Sequence, residues 1–115
     1  MKNKILQYVQ KNDQVSFVEL SRSIEGFSGD RELLLDGHPS IILWVGISNE
    51  AISAIGQLVN DDDLYIVPTD SLTYMIDGAG LNFPIAKNIR DYKKTRWLPV
   101  LFTDKKPNYK KFPKK

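Results

Sequence analysis

The sequence predicts a single α+β domain, and three observations carry that prediction. Ser16-Phe17-Val18-Glu19 has the spacing of a capping box, which marks a helix start. Residues 51–59 repeat their apolar side chains at helical spacing, and residues 41–45 form an apolar run with no helical or alternating period, bounded by turn-forming residues.

Taken in order, residues 2–11 place Ile5, Leu6 and Val9 on one side and Lys4, Gln7, Gln10 and Lys11 elsewhere, which predicts a short amphipathic helix stopped by Asn12-Asp13. A second helix is predicted over 17–25. Ser16 and Glu19 each satisfy an orphan backbone N–H at its start, Val15 serves as a hydrophobic staple for Leu20, and Gly26 supplies the stop. Residues 32–35 and 41–45 are β-compatible and flank the turn cluster Asp36-Gly37-His38-Pro39, predicting a hairpin whose second strand is covered on both faces. The third helix is predicted over 49–60, with Ala51, Ile52, Ala54, Ile55, Leu58 and Val59 as its apolar face. Asp61-Asp62-Asp63 ends it. Residues 64–67 and 72–76 then read as two strands joined by Pro68-Thr69-Asp70-Ser71.

The chain has 115 residues, 42% of them hydrophobic and 26% charged, with no cysteine, which argues against a multidomain enzyme and a disulfide-stapled module. The apolar run at 41–45 is far short of the ~20 residues that cross a bilayer, and the basic N-terminus lacks the apolar stretch of a signal peptide. These features predict a cytoplasmic protein with no membrane partner. The formal charge of +2 conceals an asymmetry. Residues 1–86 hold five bases against twelve acids, a net −7, whereas residues 87–115 hold eleven bases against Asp91 and Asp104, a net +9. The expected division is therefore a folded domain over 1–103 followed by a basic, unstructured tail over 104–115.

The helices over 2–11, 16–25 and 49–60, followed by the strand pair over 64–76, resemble the winged-helix family, in which three helices pack together and a hairpin forms the wing. That resemblance implies a winged-helix-like α+β fold with three helices, a small antiparallel sheet and, between the second and third helices, an inserted hairpin. It also implies DNA binding. Asn82-Phe83-Pro84-Ile85-Ala86-Lys87, Tyr92-Lys93-Lys94 and Trp97-Leu98-Pro99-Val100 are similar to segments of small uncharacterised proteins from Gram-positive bacteria and their phages or mobile elements, a likeness that implies no activity. One departure bears on the DNA reading. The helix in the recognition position has no lysine or arginine between 49 and 60, and three aspartates follow it. Phosphates repel that arrangement, so the helix is expected to serve the core or a partner.

No catalytic constellation emerges. His38 is the sole histidine and lacks a metal-ligating or nucleophilic companion. Asp61-Asp62-Asp63 lacks the spacing of a calcium loop, and in Gly78-Ala79-Gly80 the third glycine of a nucleotide loop is replaced by Phe83. No enzyme activity, metal or cofactor is expected. The basic segment is different, because Lys87, Arg90, Lys93, Lys94 and Arg96 are interleaved with Tyr92 and Trp97. That pattern combines phosphate-seeking charge with planar groups able to stack on bases. The expectation is a non-enzymatic nucleic-acid-binding protein using these seven residues. The same segment also reads as a solubilising tail in which Trp97, Leu98, Val100, Leu101 and Phe102 anchor on the body while the lysines stay solvated. The competing functional expectation is a protein-interaction adaptor of a phage or mobile element, or a homodimer, suggested by the uncharged polar face of residues 49–60 and by the acidic body that complements the basic segment.

Overall fold

The computed structural model describes residues 1–107. In chain order they form α1 (Lys2–Asn12), α2 (Phe17–Ser23), β1 (Ser28–Leu35), β2 (His38–Ile47), α3 (Asn49–Asn60), β3 (Tyr65–Pro68), α4 (Ser71–Ile76), β4 (Arg96–Trp97) and β5 (Val100–Thr103). The fold is α+β, with four helices among the described residues and two small β ladders. The first ladder runs β1-β2-β4, antiparallel between β1 and β2 and parallel between β2 and β4; the second is the antiparallel pair β3-β5. The expected purely antiparallel sheet is thus corrected to a mixed one, because β4 arrives from a long loop and joins β2 in the same direction.

The helix starts follow local chemistry. Ser16 Oγ accepts the Glu19 N–H at 3.2 Å while Glu19 Oε1 accepts the Ser16 N–H at 3.3 Å, which completes the capping box. Ser16 Oγ also donates to Asp77 Oδ2 at 2.6 Å, tying the start of α2 to the end of α4. Ser48 caps α3 by accepting the Ala51 N–H at 3.1 Å. Asp36-Gly37 alone makes the turn between β1 and β2, with Gly37 at φ 78°, the left-handed backbone that glycine adopts without strain. Leu35 consequently pairs with His38, and His38 and Pro39 belong to β2 instead of the expected four-residue turn.

Residues 72–76 correct the sequence reading most. Leu72, Thr73, Tyr74 and Ile76 have the composition of a strand, yet Asp70 Oδ1 accepts the Thr73 N–H at 3.1 Å and caps a helix there. Burial selects one residue of the turn: Tyr74 is fully enclosed, while Leu72, Met75 and Ile76 are exposed. β3 is left to pair with β5, from Tyr65 opposite Thr103 to Pro68 opposite Val100, so no wing forms over 64–76.

Six aromatic side chains occupy the centre of the core. Phe17 stacks on Trp44 with ring centroids 5.6 Å apart and meets the edge of Phe102 at 4.9 Å. Tyr74 lies 5.4 Å from Trp44 and 5.2 Å from Trp97, and Phe27 closes on Phe17 at 6.4 Å. Such pairs contribute about 0.5–1.5 kcal/mol each beyond the area they bury. The Tyr74 hydroxyl donates to the Val100 carbonyl at 2.6 Å and accepts the Phe17 N–H at 3.1 Å. Burial pushes its phenol above the ordinary range, outweighing the opposing Phe17 hydrogen bond. One hydroxyl therefore joins α4, α2 and β5.

Candidate nucleic-acid interface

The chain between α4 and β4 has no helix, yet its backbone is anchored at several points. The Ala86 N–H donates to Trp97 O and the Trp97 N–H to Pro84 O, each at 2.8 Å, and Leu98 N–H donates to Ile42 O at 3.1 Å. These bonds lay residues 84–86 along β4, and β4 in turn along β2. Further along, Ile89 is buried and the Tyr92 N–H donates to Ser40 Oγ at 2.9 Å. His38 Nδ1 lies 3.4 Å from Asp91 Oδ1, with no hydrogen bond formed by that nitrogen. The N-terminal part of β2 is thus the platform on which residues 88–92 rest.

Around this platform Lys87, Arg90, Lys93 and Lys94 are exposed. Arg96 is half-buried and donates from Nη1 to Ile85 O at 3.3 Å. The guanidiniums of Arg90 and Arg96 lie over the Tyr92 ring, 4.9 and 4.8 Å from its centroid. The Tyr92 hydroxyl donates to Asn88 O at 2.9 Å and accepts the Asn88 N–H at 3.2 Å. Desolvation is the largest single influence and pushes this phenol up, but the Asn88 amide and the two guanidiniums together outweigh it and leave Tyr92 more acidic than usual. The ring organises two cations, and a base can stack on a face so used only by displacing an arginine.

Of the two places expected of Trp97, stacking on bases and anchoring on the body, it takes the second. Its side chain is 2% exposed, edge-on to Tyr74 and 6.5 Å from Trp44, so it is a core residue and is withdrawn as a base-stacking group. The other six residues all lie on the anchored loop or at the start of β4. Sequence reasoning missed the anchors Ser40 and Ile89. Ile89, an isolated apolar residue in a polar run, was the one available signal; the contribution of Ser40 comes from pairing across distant sequence.

The remaining candidates are plain surface features. Asp61, Asp62 and Asp63 are exposed in the turn after α3, and Gly78, at φ 94°, opens a loop with no helix behind it. α3 turns Ala51, Ala54, Ile55 and Leu58 inward, as expected of a core helix. Residues 104–107 fall within the described part of the expected tail, where Lys105 Nζ meets Asp13 Oδ1 at 3.2 Å; residues 108–115 of that tail lie outside it. No helix among the described residues is long and apolar enough to cross a membrane. The chain matches no family model, no curated protein and no solved structure.

Proposed function

We propose that this chain is a non-enzymatic nucleic-acid-binding protein whose contact surface is the loop over residues 87–96. The observation that carries the reading is the presentation of Lys87, Arg90, Lys93 and Lys94: all four are exposed on a backbone held to β2, while the preceding 86 residues carry a net negative charge. Anchored cations lose less freedom on meeting a phosphate chain than cations on a loose tail. In this reading Lys87, Lys93 and Lys94 contact phosphates as point charges, Arg90 and Arg96 are aligned by Tyr92, and Trp97 holds the end of the loop to the core. A winged-helix relationship would be confined to α1, α2 and α3, since residues 71–76 are helix, and nucleic acid would meet the loop instead of a wing. Fluorescence polarisation with a labelled oligonucleotide at low salt tests the proposal. The full chain is expected to bind and Lys93→Glu/Lys94→Glu to lose most of the affinity; absence of binding by the unaltered chain overturns it.

The protein-interaction reading has one observation in its favour. Leu72, Met75 and Ile76 are 59%, 68% and 77% exposed on one short helix, an apolar trio with no cover among the described residues. A second copy of the chain is the partner open to direct test. Sedimentation velocity would then show a concentration-dependent dimer that Met75→Glu abolishes, and a monomer at all concentrations would remove this reading.

A further inference from the structure

An apolar groove of about 520 Å³ opens between the β1-β2 hairpin, α3 and the start of β3. Two of its walls are strand edges, since β1 has a neighbour only in β2 and β3 only in β5. Leu33, Leu34 and Leu35 line one side, and Leu64, Tyr65 and Ile66 another. Successive side chains of a strand point to opposite faces, so a cavity lined by three successive residues reaches round the edge of the strand. The bonding of β5 fixes which backbone groups of β3 stand free there. Phe102 donates its N–H to Val15 O at 2.8 Å and accepts the Val15 N–H on its own carbonyl at 2.9 Å, so both of its groups are used on the side away from β3. Ile66 is the residue opposite Phe102, and the two therefore form a non-hydrogen-bonded pair of the ladder. The Ile66 N–H and C=O consequently point outward from β5, with no hydrogen-bond partner among the described residues. The free stretch is short: the Leu64 N–H already donates to Leu58 O at 3.2 Å, and Pro68 has no N–H.

We infer that this groove binds an extended, basic peptide segment of another protein, which adds a strand to the outer edge of β3. The first support is backbone chemistry. Ile66 offers one donor and one acceptor at the edge, the pairing by which sheets capture extended peptides; a helix, whose backbone groups are bonded internally, cannot answer it. The second is charge complementarity. The lining includes Asp36 and Asp62 and no lysine or arginine, and Glu32, Asp61 and Asp63 are exposed next to these residues in the chain. Such a rim attracts lysine and arginine and repels a phosphate chain, so this face takes a different partner from the loop over residues 87–96. The third is Gly56. It lies in the interior of α3, where alanine is the better helix former, and a Cβ built there would meet no atom within 4 Å, so no contact within the described chain calls for a glycine. Its bare backbone leaves room in the groove for a side chain of the incoming strand. The segment so defined carries apolar residues at alternate positions, which enter the groove, and lysine or arginine on either side of them.

The probe is a capped synthetic peptide with the run Val-Thr-Val-Thr-Val between pairs of lysines, titrated into the isotope-labelled full chain and followed by NMR. It is expected to shift the methyl signals of Leu33, Leu35, Ile52 and Ile66 selectively and to slow hydrogen exchange of the Ile66 amide. Glutamates in place of its lysines should weaken binding about tenfold or more. Methylating its three central backbone nitrogens, which removes donors without changing charge or side chains, should weaken it by a similar factor. On the protein, Gly56→Leu fills the groove and should abolish the shifts. Asp36→Lys/Asp62→Lys should also weaken binding, and it keeps the test decisive if the leucine variant does not fold, because both aspartates are exposed. No shift at millimolar peptide, shifts confined to residues 87–96, or binding insensitive to the glutamates, to methylation or to the rim variant overturns the inference. Groove signals that change when the chain alone is diluted, or when residues 108–115 are removed, also overturn it, because a second copy or the chain's own end then fills the groove. None of these outcomes depends on nucleic-acid binding.

Discussion

Tyr92 and Trp97 stand five residues apart in one run of bases, and the structure uses them oppositely. Trp97 lies in β4, with its backbone bonded to Pro84 and Ala86 and its ring against Tyr74. Tyr92 lies in a loop, with its backbone held by Ser40 and its ring under two guanidiniums. An aromatic residue among lysines and arginines therefore becomes core or surface according to its backbone pairing, and composition cannot distinguish the two. The pair separates stability from recognition: changes at Trp97 should act on folding, and changes around Tyr92 on binding.

The largest expected effect is on the folding side. Trp97→Ala should lower unfolding free energy by about 3–5 kcal/mol, measured by urea denaturation, whereas Tyr92→Ala should change it little; equal losses would break the contrast. Tyr74→Phe comes next. It leaves the Val100 carbonyl and the Phe17 N–H without their shared partner, at a cost of about 1–3 kcal/mol. On the binding side, Lys93→Ala and Lys94→Ala should each remove about one unit of salt slope without altering stability. The smallest effect is spectroscopic. In an alkaline titration followed by phenolate absorbance, Tyr92 should ionise below the ordinary phenol range and Tyr74 only as the fold opens. The sign follows from linkage: the raised Tyr74 value gives stability that is complete below the unfolded phenol's pKa and is lost as pH rises above it. Replacing Tyr74 with phenylalanine should remove that portion of the alkaline loss.

What was legible in the sequence is what local chemistry decides. The capping box at Ser16, the apolar face of α3 and the central strand at 41–45, covered from Ile41 to Trp44 with Val45 exposed, all follow from short-range spacing. Residues 72–76 read as a strand from their β-type composition, with Asp70 taken as a turn residue; the helix depends on Asp70 acting as a cap and on Tyr74 reaching α2 and β5. β4 and β5 were legible only as an apolar patch, since the partners of β5 are β3 and Val15, far back in the chain. In the candidate site the cations were read from charge alone, which suffices for exposed groups. The role of Ser40 was not, because it depends on which distant backbone lies alongside, and for Trp97 the same dependence left stacking and anchoring both open.

The central claim is that the anchored loop carries phosphate contacts. Its most direct test is the salt dependence of duplex DNA binding by the full chain and by the folded variant Lys87→Ala/Arg90→Ala/Lys93→Ala/Lys94→Ala. With one phosphate neutralised per exposed cation, the slope of log K against log salt should fall in magnitude by about 3 to 4 units in the variant. An unchanged slope in the variant, or no measurable binding by the unaltered chain at low salt, would contradict the account.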